Sequence, residues 1–272
     1  MEVSVVIINY NTFALTSACI ESIIKKTSGL TYEIILVDNN SSETDAERFL
    51  AHFPRVILIK SPTNVGFAKG CNLGIDAAVG KYVLLLNSDT VLENNAIEIG
   101  KKFLDQHPAV AVATSILLYP DGKVQSNCQR FPSLKSNLFE LLRLQKFLPK
   151  KWGGKILFGP FFNYDEIAYP DWVWGTFFMF ERDKLKFLPH HKLADDFFMY
   201  VEDMQWCMDF SLLGYRIAFL PQARVVHYMG QSNGNKSPLI KNNTDAFMKK
   251  YYGRLHAKGI WLLNRLLVAE KG

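Results

Sequence analysis

Three apolar runs in this chain end on side chains able to grip a ligand. "VSVVIINY" closes on Asn9, Tyr10 and Asn11, "EIILVD" on Asp38 with Asn39 and Asn40 behind it, and "YVLLLN" on Asn87, Ser88 and Asp89. A lone carboxylate or amide after a strand is ordinarily a helix N-cap or an Asx-turn. Several such ends in one sheet point instead to a shared site, because open parallel sheets bind ligands outside the carboxyl ends of their strands. Two ligand chemistries are excluded by what these ends lack. A dinucleotide fold carries G-x-G-x-x-G directly after its first strand, and "NYNTFAL" has no glycine. The phosphate loop G-x-x-x-x-G-K-[ST] does not occur either. Gly66, Gly70 and Gly74 in "NVGFAKGCNLG" are spaced to open and pack a helix, and match neither fingerprint.

The elements that must position these ends alternate in type. Strand "VSVVIINY" is followed by helix "ALTSACIESIIKK", with Leu15, Cys19, Ile20, Ile23 and Ile24 on one face. Strand "EIILVD", helix "TDAERFLAHF", strand "RVILIK", helix "FAKGCNLGIDAA", strand "YVLLLN", helix "NNAIEIGKKFLDQH" and strand "AVAVATSILLY" come next. The near-continuous apolar strands suit a sheet covered by helices on both faces, so a parallel α/β sheet is expected through about residue 118. "YPDGKV" is a turn. Residues 131–170 lose the alternation and become basic and aromatic, an insertion that is partly helical around "LFELLRLQKFL". From Trp172 the pattern resumes as strand "WVWGTFFMF", a short helix near "RDKLKFL", helix "EDMQWCMDFSLLG" and strands "RIAFLP" and "ARVVHY". The tail from Pro238 reads as helix.

Composition narrows the class. The chain has 272 residues, 49% of them hydrophobic, enough for one large domain with an elaborated end. No run approaches the roughly 18 apolar residues of a membrane span. The acidic "MEVSVVIINY" turns directly into a strand, unlike a signal peptide. Cys19, Cys71, Cys128 and Cys207 are scattered, which reads as reduced thiols in a cytoplasmic protein and not as a zinc site or a disulfide framework. The net charge of +5 is uneven. Residues 236–272 hold eight Lys/Arg against Asp245 and Glu270, residues 131–155 hold six against Glu140, and the body is net acidic. Two basic segments on an acidic body suit an anionic partner met by those segments alone; solvated helix faces are the plainer account.

The order of the motifs goes further than any one of them. "VSVVIINYN", "VDNNSSE", "NVGFAKGCNLG", "LLLNSDT", "WGTFFMFERDKL", "FFMYVEDMQWC" and "ARVVHYMGQS" together resemble glycosyltransferase family 2, with the closest likeness to its bacterial rhamnosyltransferase-like branch. The resemblance covers roughly residues 2–235. It implies a GT-A type, Rossmann-like, mainly parallel α/β sheet with helices on both faces, here with the basic insertion and a C-terminal helical tail. The implied organisation is a transferase domain over 1–235, with a nucleotide-sugar half to 118 and an acceptor half over 171–235, then a basic amphipathic tail over 236–272. The implied chemistry is transfer of a sugar with inversion, from a nucleotide-sugar donor, with a divalent metal (Mn or Mg).

Carried over by motif, Asp38 matches the carboxylate that binds the pyrimidine base, and Asn9, Tyr10 and Asn11 match the floor of the nucleotide pocket. Asn40, Asn64, Gly66, Phe67 and Asn72 fall on the loop and helix start beside ribose and base. Asn87, Ser88 and Asp89 match the D-x-D metal motif, with Asn87 replacing its first acid, so one carboxylate fewer holds the metal. His227 matches a histidine that joins the metal in several relatives. Asp203 matches the catalytic base, with Glu202 as its competitor. The helix after it departs from the family's "ED-x-D-L-x-x-R": Gln205 and Asp209 stand there, one turn apart and able to hydrogen-bond each other. Trp174 and Gly175 are expected on the acceptor side, with Trp174 stacking on sugar, while Trp172 and Trp206 belong to the core.

The expected acceptor is a cell-surface glycan or its polyprenyl-diphosphate-linked precursor, with no nucleic acid involved. Lys249, Lys250, Arg254, Lys258 and Arg265 stand among Phe247, Tyr251, Leu255, Trp261, Leu262 and Leu266 in the tail, as in an interfacial helix, and "LLRLQKFLPKKWGGK" supplies a second such element. Together they would hold the enzyme on the anionic inner face of the membrane. The alternative is that both pack on the body or form a homodimer interface. A sugar nucleotidyltransferase is the rival enzyme, but it begins with a Gly-rich basic loop that "NYNTFALT" lacks. A non-catalytic carbohydrate-binding protein is the rival outside catalysis, and an intact "NSD" with "ED" speaks against it.

Overall fold

The computed structural model describes residues 1–228 and 237–269, and among these the side chains of 150, 151, 237 and 264–269 lie outside the described set. The end of "ARVVHYMGQS" from Met229 onward, and the side chains of Arg265 and Leu266 in the expected interfacial face, therefore lie outside the described residues.

The first half alternates as the apolar pattern requires: β1 (Val3–Asn9), α1 (Phe13–Lys26), β2 (Tyr32–Asp38), α2 (Arg48–His52), β3 (Ile57–Lys60), α3 (Phe67–Ala77), β4 (Tyr82–Asn87), β5 (Thr90–Leu92), α4 (Ala96–Gln106) and β6 (Val110–Leu118). Two-residue strands β7 (Val124–Gln125) and β8 (Cys128–Gln129) lead into the insertion helices α5 (Leu134–Leu141) and α6 (Lys150–Leu157). The chain returns through β9 (Trp172–Val173), β10 (Phe177–Glu181), α7 (Glu202–Leu212) and β11 (Arg216–His227), and ends in α8 (Ser237–Tyr251) and α9 (Arg254–Ala269).

Alternate residues of the strands feed two cores. Val83 and Leu85 of β4 face α3 and α7, joining Cys71, Ile75, Trp206 and Phe210. Leu84 and Leu86 face the other side, joining Cys19, Ile20 and Ile23 of α1 and Ile97 and Leu104 of α4. A strand buried on both faces is apolar throughout, which is why the sequence reads as unbroken runs. Gly74 lets α3 lie against β1, because a Cβ there would collide with Val6.

The main sheet runs β3-β2-β1-β4-β10-β6-β11-β5, with β7 paired to β6. β1, β2, β3 and β4 are parallel, as are β6 and β11. β10 is antiparallel to both its neighbours, β4 and β6.

Several local expectations need correction. "WVWGTFFMF" is not one strand: Trp174, Gly175 and Thr176 turn the chain between β9, which pairs with β8, and β10 in the main sheet. "RIAFLP" and "ARVVHY" are one strand, β11, whose register against β6 shifts between Leu220 and Arg224. The helix expected from Thr44 begins only at Arg48, and Ile24, read as a core position of α1, is exposed. All four cysteines are free and buried. Among the described residues no helix is long and apolar enough to cross a membrane.

Candidate functional site

Strand order reverses at β1, with β2 on one side and β4 on the other, and that reversal opens a crevice at the carboxyl end of the sheet. Register puts the polar ends there together: Asn9 pairs with Asp38, and Ile8 pairs with Asn87. Asn9 is buried and donates from Nδ2 to Asp38 Oδ1 (2.7 Å) and Ser41 Oγ (2.9 Å). Its Oδ1 accepts from Thr16 Oγ1 at 2.8 Å. Asp38 Oδ2 accepts from the Ser41 amide at 3.1 Å. Asp38 thus first serves as a bracket for the crevice floor, and its carboxylate retains acceptor capacity for a ligand. Asn11 and Asn40 take left-handed φ of 53° and 63°, a conformation asparagine tolerates. Asn11 Oδ1 accepts from the Ser42 amide (2.8 Å), and Tyr10 projects to solvent.

The glycine loop closes the next wall. Asn39, to which the motif assigned no role, donates from Nδ2 to Asn64 Oδ1 (2.9 Å) and accepts from the Val65 amide (2.9 Å). Gly66 has φ 84°, and a Cβ there would strike the Phe198 carbonyl oxygen, which accepts from the Phe67 amide at 2.8 Å. Phe67 stacks on Trp206 at 6.1 Å. Asn72 departs from this group: buried in the second turn of α3, it donates to the Leu193 carbonyl (2.9 Å).

β4 ends in a turn at Ser88 and Asp89. Ser88 Oγ lies 3.2 Å from Thr12 Oγ1, which joins this turn to the Asn9 network. Asn87 Oδ1 is buried and has no partner among the described residues. β5 then pairs antiparallel with the end of β11, Thr90 opposite His227, so His227 Nε2 comes 3.3 Å from Asp89 Oδ1. His227 Nδ1 is 2.8 Å from Gln125 Oε1, an atom that can only accept, while Gln125 Nε2 donates to the His227 carbonyl at 2.8 Å. Nδ1 therefore carries the hydrogen, and Nε2 is turned toward the carboxylate.

That arrangement fits a divalent cation. Nε2 and the Asp89 carboxylate oxygen face each other across a gap that a cation can bridge, and the Asn87 oxygen, without a partner among the described residues, lies two residues back at the end of β4. Among the described residues no group of three or more His, Cys, Asp or Glu gathers, here or elsewhere, so the protein itself offers only this pair. With Asp89 and His227 as its charged and imidazole partners, a bound cation would draw its remaining ligands from water or a substrate.

β10 brings in the opposite wall. Because it runs antiparallel to β4, its start lies at the carboxyl edge, and the Thr176 carbonyl accepts from the Asn87 amide at 3.0 Å. The Gly175 amide donates to Asp203 Oδ2 (3.2 Å), and the Met204 amide donates to Asp203 Oδ1 (2.8 Å). Asp203 is half-buried, and desolvation raises its pKa despite these amides. Glu202 is raised further, first by burial and then by the Asp203 charge, and its Oε2 has no partner among the described residues. Burial thus pushes both carboxyls toward the neutral form, Glu202 more than Asp203, and of the two it is Asp203 that accepts from the Gly175 and Met204 amides.

The expected Gln205–Asp209 pairing is not made. Gln205 donates to Asp196, and Asp209 accepts from Tyr251 OH at 2.6 Å, so tertiary partners outcompete the neighbour on the same helix. Trp174 is partly buried against the core on the α1 side, while Trp206 is fully buried and donates to the Ala194 carbonyl.

Known proteins share this fold and, over part of the chain, its sequence. The glycosyl transferase family 2 model matches residues 4–165. A glycosyltransferase GlyG of Streptococcus pneumoniae serotype 4 is 35% identical over 99 residues, covering 35% of this chain and 33% of its own. A PGL/p-HBAD biosynthesis glycosyltransferase of Mycobacterium bovis is 30% identical over 145 residues, covering 52% of this chain and 53% of its own. A chondroitin synthase of Pasteurella multocida is 30% identical over 135 residues, 14% of its length. The matched segments thus span from about a seventh to about half of these relatives. The crystal structure of GalNAc-T7 with UDP, GalNAc and Mn2+ superposes with a TM-score of 0.64 at 16% identity, over 90% of this chain and 48% of that one. The fold is therefore of the GT-A type. With the family model covering more than half its length, the chain belongs to glycosyl transferase family 2.

Proposed function

We propose that this protein transfers a sugar, with inversion, from a nucleotide-diphosphate donor to a glycan or polyprenyl-diphosphate-linked acceptor. Rhamnose is the donor sugar to test first, because the motif order follows the rhamnosyltransferase-like branch. The observation that carries the reading is the meeting of Asp89, His227 and Asn87 with the Gly175–Asp203 contact at one sheet edge.

In this reading Asn9, Asp38 and the Asn64–Phe67 loop hold the nucleoside, and Asn87, Ser88 and Asp89 lie under the diphosphate. Asp89 and His227 would hold a divalent metal, which when bound neutralises charge developing on the diphosphate as it leaves. The crystal structure of GalNAc-T7 holds UDP, GalNAc and Mn2+ on this fold, which supports that choice. Asp203 accepts the acceptor hydroxyl proton as that oxygen attacks the anomeric carbon, and its raised pKa makes it a stronger base while still ionised at neutral pH. Glu202, kept neutral by burial, leaves that role to its neighbour.

A thermal-shift panel tests the reading. A true donor with Mn2+ or Mg2+ at about 100 times its Kd should add about 2.7 kcal/mol to stability, and neither partner alone should match it. Release of nucleoside diphosphate, and not pyrophosphate, should follow when an acceptor is added. No shift with any nucleotide sugar, with and without metal, overturns the proposal.

The acceptor reading carries a location with it. Gly259 lets α9 lie on Leu134 of α5, so the two basic elements form one helical surface. No side chain of α5 is buried, and Phe147, Trp152, Leu255, Trp261 and Leu262 are exposed beside Lys135, Lys146, Arg254 and Lys258. Apolar and basic side chains together suit the anionic inner face of a membrane, each basic residue near it adding about 1 kcal/mol. The chain should co-sediment with vesicles containing anionic lipid, less so with added salt, and less when residues 254–272 are removed. Equal recovery on neutral and anionic vesicles counts against it.

A further inference from the structure

Glu202 and Asp203 project from a strained turn, and what holds that turn is not the sheet. Tyr200 and Val201, the two residues before α7, have left-handed φ of 70° and 75°. Two successive non-glycine residues in this region are uncommon, and a β-branched one is a genuine outlier. Such geometry persists only where surroundings over-determine it. The turn sets the direction in which the first helical residues point, so its relaxation would swing Asp203 away from the Gly175 amide.

The restraint comes from the first tail helix. Asn243 of α8 donates from its single Nδ2 to two carbonyls, Met199 (2.8 Å) and Tyr200 (3.1 Å). One turn on, Phe247 is fully buried with Phe197, Val201 and Met204 in a small cluster separate from the two main cores. Lys250 pairs with Asp196 at 2.7 Å, and Tyr251 bonds Asp209 on α7. On its other side the same segment meets the donor wall, where the Phe198 carbonyl accepts from the Phe67 amide.

We infer that Asn243 is a positioning residue for the acid pair: its amide locks the left-handed Tyr200–Val201 turn that aims Asp203 at the reacting edge. This rests on the reading of Asp203 as the base. It gives the tail a part in transfer that no motif of the chain announces, since α8 lies outside the residues matched by the family model.

Two substitutions remove the donor differently. Asn243→Ala deletes the side chain, and Asn243→Asp keeps its shape but offers a carboxylate to two carbonyls. Misplacing a catalytic group by about 1 Å costs up to about 10²-fold, so kcat should fall at least about tenfold in both. The donor KM and the thermal shift with donor and Mn2+ should stay unchanged, because Asn243 itself bonds only Met199 and Tyr200 while the Asn9–Asp38, Asn39–Asn64 and Phe67–Phe198 bonds of the nucleotide wall remain. Val201→Gly placed on Asn243→Ala should recover kcat several-fold, since glycine takes the left-handed turn without strain. Unchanged kcat in both single variants overturns the role, and so does a loss that travels with an equal fall in donor affinity and melting temperature. Asp203→Asn run beside them separates the failures. If it stays active, the base assignment falls and this role with it; if it is inactive while Asn243→Ala is fully active, the positioning role alone falls.

Discussion

Asp203→Asn should bind the nucleotide sugar as the wild type does and lose about 10²–10⁴ in kcat. Its two oxygens accept from the Gly175 and Met204 amides, so the side chain is already fixed where Gly175, Phe67 and Trp206 converge. An asparagine keeps the volume but cannot take up a proton. Glu202→Gln should keep most of the activity, because burial already holds that carboxyl neutral. A larger loss from Glu202→Gln than from Asp203→Asn would reverse the assignment.

The sign of the pH dependence follows from the same burial. Asp203 works only when ionised, and its pKa is raised, so activity should climb with pH through a limb lying above the usual aspartate range. Stability should run the other way. The folded pair keeps protons that the unfolded chain releases near ordinary carboxylate pKa values, so stability falls as pH rises through that window. Glu202→Gln should flatten this fall, which a melting curve taken at several pH values would show.

Asp89→Ala should take transfer to background, a loss of about 10³-fold or more, because several kcal/mol of charge stabilisation would go with the cation. The fold should survive. Among the described residues the Asp89 side chain reaches only His227, and the bond from the Tyr228 amide falls on its backbone carbonyl. Melting temperature without ligand should therefore change little, while the added stabilisation from donor plus Mn2+ disappears. Gln125→Leu should act more mildly, by about 10–100-fold in metal affinity, since it frees the imidazole without removing it. Near-wild-type turnover of Asp89→Ala at saturating Mn2+ would end the metal reading.

Much of this edge was legible in the sequence because strand ends announce themselves. An apolar run that stops on Asn9, Asp38 or Asn87 marks both the element and the edge at which it stops. Direction was harder to see: an apolar run has the same period whichever way it travels, so "FFMF" gave no sign that β10 runs against its neighbours. Gln125 and Asn243 left no trace at all. Each is an uncharged amide whose partners stand 102 and 43–44 positions away in the chain, and neither lies in an apolar pattern. The pairing expected between Gln205 and Asp209 failed for a related reason, since helical spacing reveals neighbours on one helix but not the Asp196 and Tyr251 that reach in from elsewhere.

The placement of β10 between β4 and β6 also governs how the chain can be made. During synthesis the first six strands emerge well before residue 177, and until then β4 and β6 have no strand between them. Each presents a row of unsatisfied amides and carbonyls, the kind of edge that recruits other chains. The ribosome adds about 5–20 residues per second, so the gap stays open for several seconds while the insertion is translated. A nascent chain in that state is the one most exposed to aggregation and most in need of a chaperone. A fragment cut at residue 165, where the family match stops, would keep that vulnerability permanently.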